Sequence, residues 1–282
     1  MRSFFMESKN LFDEHKESQA RLAMLAHDIK NPLTVLLSSL NFLQKKLEAQ
    51  DALTFKREYA PIFELSVREV YRAIRLANNV VDTDRISVGA FSPTFQYTDI
   101  AQNISEVISE MQIFTSGKNI KLNYEMKLPP QTLLLCDAGM LERALCNLLS
   151  NAVKAVPKEG GIIDVILDAD EKNIFLTVKD NGCGINEEDK EKLFESYWHS
   201  GSAPRAAAES TGLGLYIARA VAVAHGGDII VDSKRGEGAA FRITLSRSCT
   251  DNKEQGLLKN SGFEYKYVST GFTVRTEMSD LI

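Results

Sequence analysis

Residues 22–47, LAMLAHDIKNPLTVLLSSLNFLQKKL, decide the first half of the fold. Leucine or isoleucine recurs along this stretch at steps of three and four residues, the spacing that places apolar side chains on one stripe of a helix. The stripe consists of Leu22, Leu25, Ile29, Leu33, Leu36, Leu40, Leu43 and Leu47. The pattern predicts one long helix over about residues 7–48.

A second helix is predicted over about residues 54–87, with its own apolar stripe. Its members are Val67, Val70, Ile74, Ala77 and Val81. Two such helices joined by a short link form a hairpin, and one hairpin leaves its apolar stripe uncovered. We therefore expect two copies to pair into an all-α four-helix bundle, which makes the protein a homodimer. The alternative for this half is a plain dimerisation coiled coil.

The pattern changes to mixed α and β after a linker at about residues 89–93. Strands are predicted at 119–126, 132–136, 162–168, 174–180, 228–233 and 239–245, and helices at 99–117, 137–155 and 213–225. This order favours an α/β sandwich with one open face. Four segments result: a helical lead-in (1–20), the hairpin (21–90), the α/β domain (91–247) and an extension of unknown role (248–282). Within the extension, the alternation of residues 263–274 favours a strand with no evident partner.

Composition narrows the class of protein. The net charge of −5 argues against nucleic acid as a main partner, and no apolar stretch approaches the ~20 residues that span a bilayer. We expect a cytoplasmic protein, membrane-associated only if an upstream segment precedes this chain. Four scattered cysteines without a C-x-x-C pair indicate reduced thiols.

His27 stands on the first helix but off its stripe. It lies two residues from both Leu25 and Ile29, which is about 200° of helical rotation, so its side chain faces solvent. A neutral imidazole is a nucleophile near pH 7, and the neighbouring Asp28 can take the ring proton and hold one tautomer. Asn31, one turn on, shares the face. The alternative is an ordinary exposed histidine beside an ordinary aspartate.

A second set of polar residues lies on the helix predicted at 137–155. Asn147 and Asn151 are four residues apart and share a face, where amide oxygens suit a hard cation such as Mg²⁺. Lys154 lies about one turn further along the helix, from where its side chain can reach a phosphate. A solvated helix face is the alternative.

Two glycine-containing turns follow. Asp180-Asn-Gly182-Cys-Gly184 comes directly after a predicted strand, and its glycines permit a tight turn close to a flat ligand, while its carboxylate can accept a hydrogen bond from an exocyclic amine. Residues 211–215, TGLGL, open a helix whose first amides favour phosphate. Taken alone, the first turn is as typical of an ordinary loop as of a ligand-binding turn.

Residues 26–32, AHDIKNP, resemble the phospho-acceptor box of histidine kinases, in which His, an acidic, an apolar and a basic residue, Asn or Thr, and Pro follow in order. Asp28 stands for the commoner glutamate. The later motifs resemble, in order and spacing, the N, G1, F and G2 boxes of the histidine-kinase ATPase domain, whose superfamily includes gyrase, Hsp90 and MutL. These motifs are residues 147–155, 180–185, 193–198 and 211–215. The sequence contains no G-x-x-x-x-G-K-[ST] loop, which excludes a P-loop enzyme.

The resemblance, which covers about residues 20–247, implies a two-component sensor histidine kinase that uses ATP and Mg²⁺. His27 would be the phospho-acceptor, Asp28 its acid/base partner, and Asn31 the residue that orients water when the kinase dephosphorylates its regulator. The implied partners are a second copy of the chain, a cognate response regulator, and a separate sensor protein or an upstream sensor domain.

The resemblance also assigns the nucleotide residues. Asn151 would bind the metal and Asn147 would serve the metal and phosphates. Lys154 would contact phosphate and Asp180 adenine. The remaining pocket residues would be Gly182, Gly184, Thr211, Gly212, Leu213 and Gly214.

Two departures from the family pattern keep a second hypothesis open. Ser210 stands where the family often has the first glycine of the G2 box, and the segment before it carries few basic residues, with Arg205 and His199 the candidates to touch phosphate. A degenerate kinase acting as a dimeric scaffold would tolerate both departures. A gyrase-like or Hsp90-like ATPase is a third hypothesis, which the phospho-acceptor box on a helical hairpin disfavours.

Overall fold

The computed structural model describes residues 30, 33–42, 44–45, 60–198, 212–248 and 270–279. They fall into two compact units that divide after Gly89. His27, Asp28, Asn31 and Thr211 lie outside the described residues, as do residues 7–29 of the first predicted helix and residues 54–59 of the second.

The described residues of the first unit are helical up to Ser87. Residues 33–42 form the described part of α1, residues 44–45 are also helical, and α2 runs over Ala60–Ser87. In α2 the stripe positions Val70 and Ile74 are buried, as its spacing predicts. In α1 the buried side chain is Leu37, whereas the stripe residue Leu36 is 49% exposed within the single chain.

The second unit contains a five-stranded sheet with the order β2-β4-β5-β7-β6 and a two-stranded antiparallel sheet of β1 and β3. In the larger sheet β2 and β4 are parallel and the other neighbours are antiparallel. The strands are β1 (Gln96–Asp99), β2 (Ile120–Met126), β3 (Leu133–Cys136), β4 (Gly161–Ala169), β5 (Asn173–Asp180), β6 (Ile229–Ser233) and β7 (Ala239–Ser246).

Helices cover one face of the larger sheet. Those that pack on its strands are α3 (Ile100–Ser116), α4 (Ala138–Ala155) and α6 (Gly214–Ala224), and the unit also contains the short α5 (Glu187–Lys190) and α7 (Thr270–Glu277). Alternate residues of the central strands turn toward α4 and are fully buried, as in Ile163, Val165 and Leu167 of β4. The opposite face is partly exposed, which gives the α/β sandwich with one open face that the sequence predicts.

The predicted strands and helices of this unit are confirmed to within two residues at their ends, with three exceptions. The four-residue β1 and α5 are too short to produce a periodic pattern. Residues 270–274, for which the sequence favours a strand, lie instead in α7, so that prediction is wrong there. Helix α7 packs against α3 and α4, and this packing selects the helix over the weak alternation of its sequence.

His225 joins three parts of the second unit at the end of α6. Its Nδ1 is 2.8 Å from the Val221 carbonyl oxygen, and the Asp137 backbone N–H donates to its Nε2 at 3.0 Å. These two contacts place the ring proton on Nδ1. The ring is 1% exposed and meets Phe95 edge-on, with the ring centres 5.4 Å apart.

Burial lowers the pKa of His225, although the Val221 carbonyl and the Asp137 carboxylate act in the opposite direction. A folded pKa below the unfolded value means that the unfolded chain binds more protons, so stability is lost as pH falls from about 6.5 toward the folded pKa. Asp180 and Glu142 act in the opposite sense. Burial raises the pKa of their carboxyl groups, so the stability they contribute is lost as pH rises through the raised pKa values.

We expect His225→Gln to flatten the acid side of the stability profile. The variant removes the group that loses stability between about pH 6.5 and the lower folded pKa, while its amide can still accept from the Asp137 N–H. Urea unfolding at pH 7.5 and at 5.5 measures the difference for variant and wild type. An equal loss of stability in both proteins would show that His225 does not govern this window.

Candidate nucleotide site

Helix α4 presents the polar face that the sequence identifies. Asp137 caps its start, because Oδ1 accepts from the Met140 N–H at 3.0 Å, and the apolar face that includes Leu145 and Leu149 is fully buried. On the polar face Asn147 is 6% exposed, and Asn151 and Lys154 are half-buried. The apolar face thus anchors the helix in the core, and the amide side chains lie on a different face of the same helix.

Asn147 packs directly beneath the start of α6. A Cβ added to Gly214 would lie 3.0 Å from the Asn147 Oδ1, so a glycine at 214 lets the two helices approach. The Asn147 Nδ2 is buried and has no hydrogen-bond partner among the described residues. A buried amide donor without a partner is costly, which is typical of a group that awaits a ligand.

The turn after β5 is pressed against the end of α4. The Asp180 Oδ1 accepts from the Gly182 N–H at 2.8 Å, and the Cys183 N–H donates to the Ala155 carbonyl at 3.2 Å. A Cβ at Gly182 would lie 2.6 Å from that same Ala155 oxygen. Glycine is therefore required at 182 for the turn to reach the helix that carries Asn147 and Asn151.

A second glycine turn closes over the first. Gly238 has φ +81°, and a Cβ there would overlap the Asp180 carbonyl oxygen. Gly184 has φ +63°, and a Cβ there would overlap the Lys234 carbonyl oxygen. Both positions need glycine for conformation and for space.

Asp180 is 5% exposed at the end of β5. Burial raises the pKa of its carboxyl, and hydrogen bonds from the backbone N–H groups of Gly182 and Ala239 partly offset that rise. A desolvated carboxylate held by backbone amides is a fixed acceptor, which suits recognition of an amine on a flat ring.

The start of α6 forms a further part of the candidate site. Gly212 has φ +66° and its carbonyl accepts from the Tyr197 N–H at 3.1 Å, and Leu213 is 2% exposed. Among the described residues no side chain caps this helix start. Its first backbone N–H groups and the positive end of the helix dipole are therefore available to a ligand in front of the helix. That arrangement favours an anion such as phosphate.

The structure thus brings most of the predicted nucleotide residues into one packed arrangement. Asn147 meets Gly214, and the Asp180–Gly184 turn meets the end of α4. Sequence reasoning missed Ser233, whose Oγ accepts from the Ile185 N–H at 3.0 Å and donates to the Gly238 carbonyl at 2.7 Å. A polar residue at the inward-facing end of a strand was the available signal.

The residues present fit ATP with Mg²⁺. The unpartnered Asn147 amide, the glycine turns beside Asp180 and the uncapped start of α6 match a phosphate–purine ligand. Among the described residues no cluster of three or more His, Cys, Asp or Glu side chains forms a metal site. Mg²⁺ here would depend on amide oxygens, waters and the nucleotide phosphates.

Family models match both halves of the chain. Residues 136–248 match the family described as "Histidine kinase-, DNA gyrase B-, and HSP90-like ATPase", and residues 18–89 match "His Kinase A (phospho-acceptor) domain". The second unit thus carries an ATPase domain of this superfamily.

Relatives and solved structures agree with these matches. The sensor protein KdpD of Escherichia coli is 32% identical over 84% of this chain and 25% of KdpD. The sensor histidine kinase WalK of Bacillus subtilis is 31% identical over 83% of this chain and 38% of WalK. The crystal structure of full-length ShkA in complex with AMPPNP shares the fold, with a TM-score of 0.61 at 24% identity over 82% of this chain and 46% of ShkA.

The chain belongs to the two-component sensor histidine kinase family. It spans less than two-fifths of the length of KdpD or WalK. Over its described residues, none of the helices has the length and apolar character needed to cross a membrane.

We expect Gly238→Ala to weaken ATP binding far more than Gly236→Ala. Both glycines have positive φ, so alanine costs roughly 1–2 kcal/mol of backbone strain at either position. Only at 238 would the new methyl also overlap the Asp180 carbonyl, since nothing lies within 4 Å of a Cβ at 236. Isothermal titration with ATP measures the difference, and equal losses in the two variants would contradict the role of this contact.

Proposed function

We propose that the chain is an ATP-dependent protein histidine kinase that phosphorylates its own His27 and passes the phosphoryl group to an aspartate of a response regulator. The observation that carries the proposal is that a phospho-acceptor family match containing His27 and an ATPase family match occur on one chain. The packed glycine turns and the unpartnered Asn147 amide support nucleotide binding by the second of these regions.

Each residue has a part in the proposed reaction. A ring nitrogen of His27 forms a bond to the γ-phosphorus as the bond to the bridging oxygen breaks and ADP leaves. Asp28 takes the ring proton. The regulator's carboxylate then attacks the same phosphorus, and as the N–P bond breaks the Asp28 carboxyl returns the proton to the ring, which leaves His27 neutral.

On the nucleotide side, the proposal assigns roles to α4 and the turns. Asn151 would bind Mg²⁺, which neutralises charge on the phosphates, while Asn147 and Lys154 contact the phosphates directly. Asp180 would accept a hydrogen bond from the adenine amine, within a pocket shaped by the surrounding glycines. The first amides of α6 would hold a phosphate.

A homodimer is part of the same proposal. Apolar side chains are exposed on both described helices of the first unit: Val35, Leu36 and Phe42 on α1, and Leu65 and Val80 on α2. A second copy of the same hairpin would cover such residues in a four-helix bundle. Asn31, which the helical spacing predicts on the face of His27, would orient a water molecule for dephosphorylation of the regulator.

We expect His27→Gln to abolish uptake of ³²P from labelled ATP, because glutamine has no nucleophilic ring nitrogen. ATP binding, measured by titration calorimetry, should be unchanged. His15→Gln is the matched control, since it removes another histidine that precedes the phospho-acceptor match, and it should retain labelling. Persistent labelling of the His27 variant would disprove the assignment of His27.

We expect Asn151→Ala to weaken binding of ATP with Mg²⁺ by roughly ten- to a hundredfold, since one interaction with a charged group contributes roughly 1.5–3 kcal/mol. Binding of ATP in EDTA should change much less, because the side chain acts through the metal. Calorimetry of both forms makes the comparison within one variant. Equal losses with and without the metal would remove Asn151 as its ligand, and no binding by the wild type would favour the scaffold hypothesis.

A further inference from the structure

Helix α7 packs against α3 and α4 within the second unit. Its apolar contacts are Val274 within the helix and Met278 just after it, which are 3% and 0% exposed. Polar residues of the same segment are equally buried: Thr270, Thr276, Glu277 and Ser279. Because most of the buried residues are polar, the position of α7 depends on matched polar partners more than on apolar area.

Two adjacent residues of α4 supply partners for two of these four polar residues, Thr270 and Glu277. The Glu142 Oε1 accepts from the Thr270 Oγ1 at 3.3 Å and from the Asn103 Nδ2 of α3 at 2.7 Å. The Arg143 Nε lies 3.1 Å from the Glu277 Oε1. Side-chain exposure in this ion pair is 12% for arginine and 1% for glutamate, so removing one partner leaves the other charge buried.

Two features limit the stability of docked α7. The hydroxyl groups of Thr276 and Ser279 are buried with no hydrogen-bond partner in the described part of the chain, which opposes docking. With eight residues, α7 is shorter than the ~12–15 residues at which an isolated helix becomes even marginally stable in water. The helix therefore depends on its contacts with α3 and α4.

The contact adjoins the candidate nucleotide site. Arg143, Asn147 and Asn151 follow one another at intervals of four residues and share a face of α4. Asn147 in turn lies beneath Gly214 at the start of α6. The Glu277–Arg143 ion pair thus lies one helical turn from the first residue of the site.

We propose that α7 is a built-in regulatory element whose Glu277–Arg143 ion pair positions α4 for nucleotide binding, so that release of the C-terminal segment weakens the kinase's hold on ATP. Glu277 and Arg143 are positioning residues and act through Asn147 and Asn151. The inference rests on the proposed role of these two asparagines in binding ATP with Mg²⁺.

A charge-swap cycle in the full chain tests the coupling. Glu277→Arg and Arg143→Glu each place like charges together, and each should raise the dissociation constant for ATP with Mg²⁺ by about tenfold, within the usual range of coupling between sites. The KM for ATP in autophosphorylation should rise in parallel while kcat changes little. The double variant R143E/E277R restores an ion pair and should return both quantities to within about twofold of the wild type.

Amide hydrogen exchange of residues 270–279 reports docking independently of nucleotide. Exchange should quicken in both single variants and return toward wild type in the double variant. Glu125→Arg is the control, because it reverses a charge in an exposed pair with Lys127 on β2, and it should change neither readout. Glu277→Gln, which removes the charge at nearly constant size, should shift both readouts in the same direction by less.

Wild-type ATP affinity in both single variants, or no recovery in the double variant, would overturn the inference while leaving the proposed function intact. A wild type that binds no ATP would overturn the proposed function, and with it the coupling. Hydrogen exchange would still show in that case whether α7 docks.

Discussion

The second unit of the chain depends on one backbone contact, the approach of Gly238 to the carbonyl of Asp180. β5 and β7 pair there in register, with Asp180 opposite Ala239, and the turn before β7 can close on the end of β5 only because residue 238 has no side chain. Gly182 then makes the same kind of approach to Ala155. Through these contacts the end of β5, the Asp180 turn and the end of α4 pack together, and Asp180 is held as a desolvated acceptor by backbone amides.

Asn147 lies where α4 meets the start of α6. Its carbonyl oxygen lies against Gly214, and its amide nitrogen has no partner in the described residues. Helix α4 therefore contacts the turn after β5 through Ala155 and the start of α6 through Asn147. A small shift of α4 would alter both contacts together, which is the physical basis of the proposed effect of the Arg143–Glu277 ion pair on ATP affinity.

The first unit follows a different constraint. Its described helices expose several large apolar side chains within a single chain, while Ile74 and Val70 of α2 are buried. A protein that exposes such residues on a helical hairpin needs a second surface to cover them. The sequence predicts that the proposed nucleophile His27 lies off the apolar stripe, where it would be accessible to the ATPase domain and to the regulator of the proposed reaction.

The sequence by itself determined the family, the two-part organisation and the elements with strong periodicity. Spacing located most strands and helices of the second unit because apolar alternation and helical repeats are local properties of the chain. It also identified Asn147, Asp180 and the glycines that the structure brings together. The prediction for residues 270–274 failed, and β1 and Ser233 were missed, since each owes its conformation or role to partners distant in the chain. Only the tertiary structure decided that the C-terminal segment packs on α4 and pairs Glu277 with Arg143, because a contact across more than a hundred residues leaves no periodic mark in either segment.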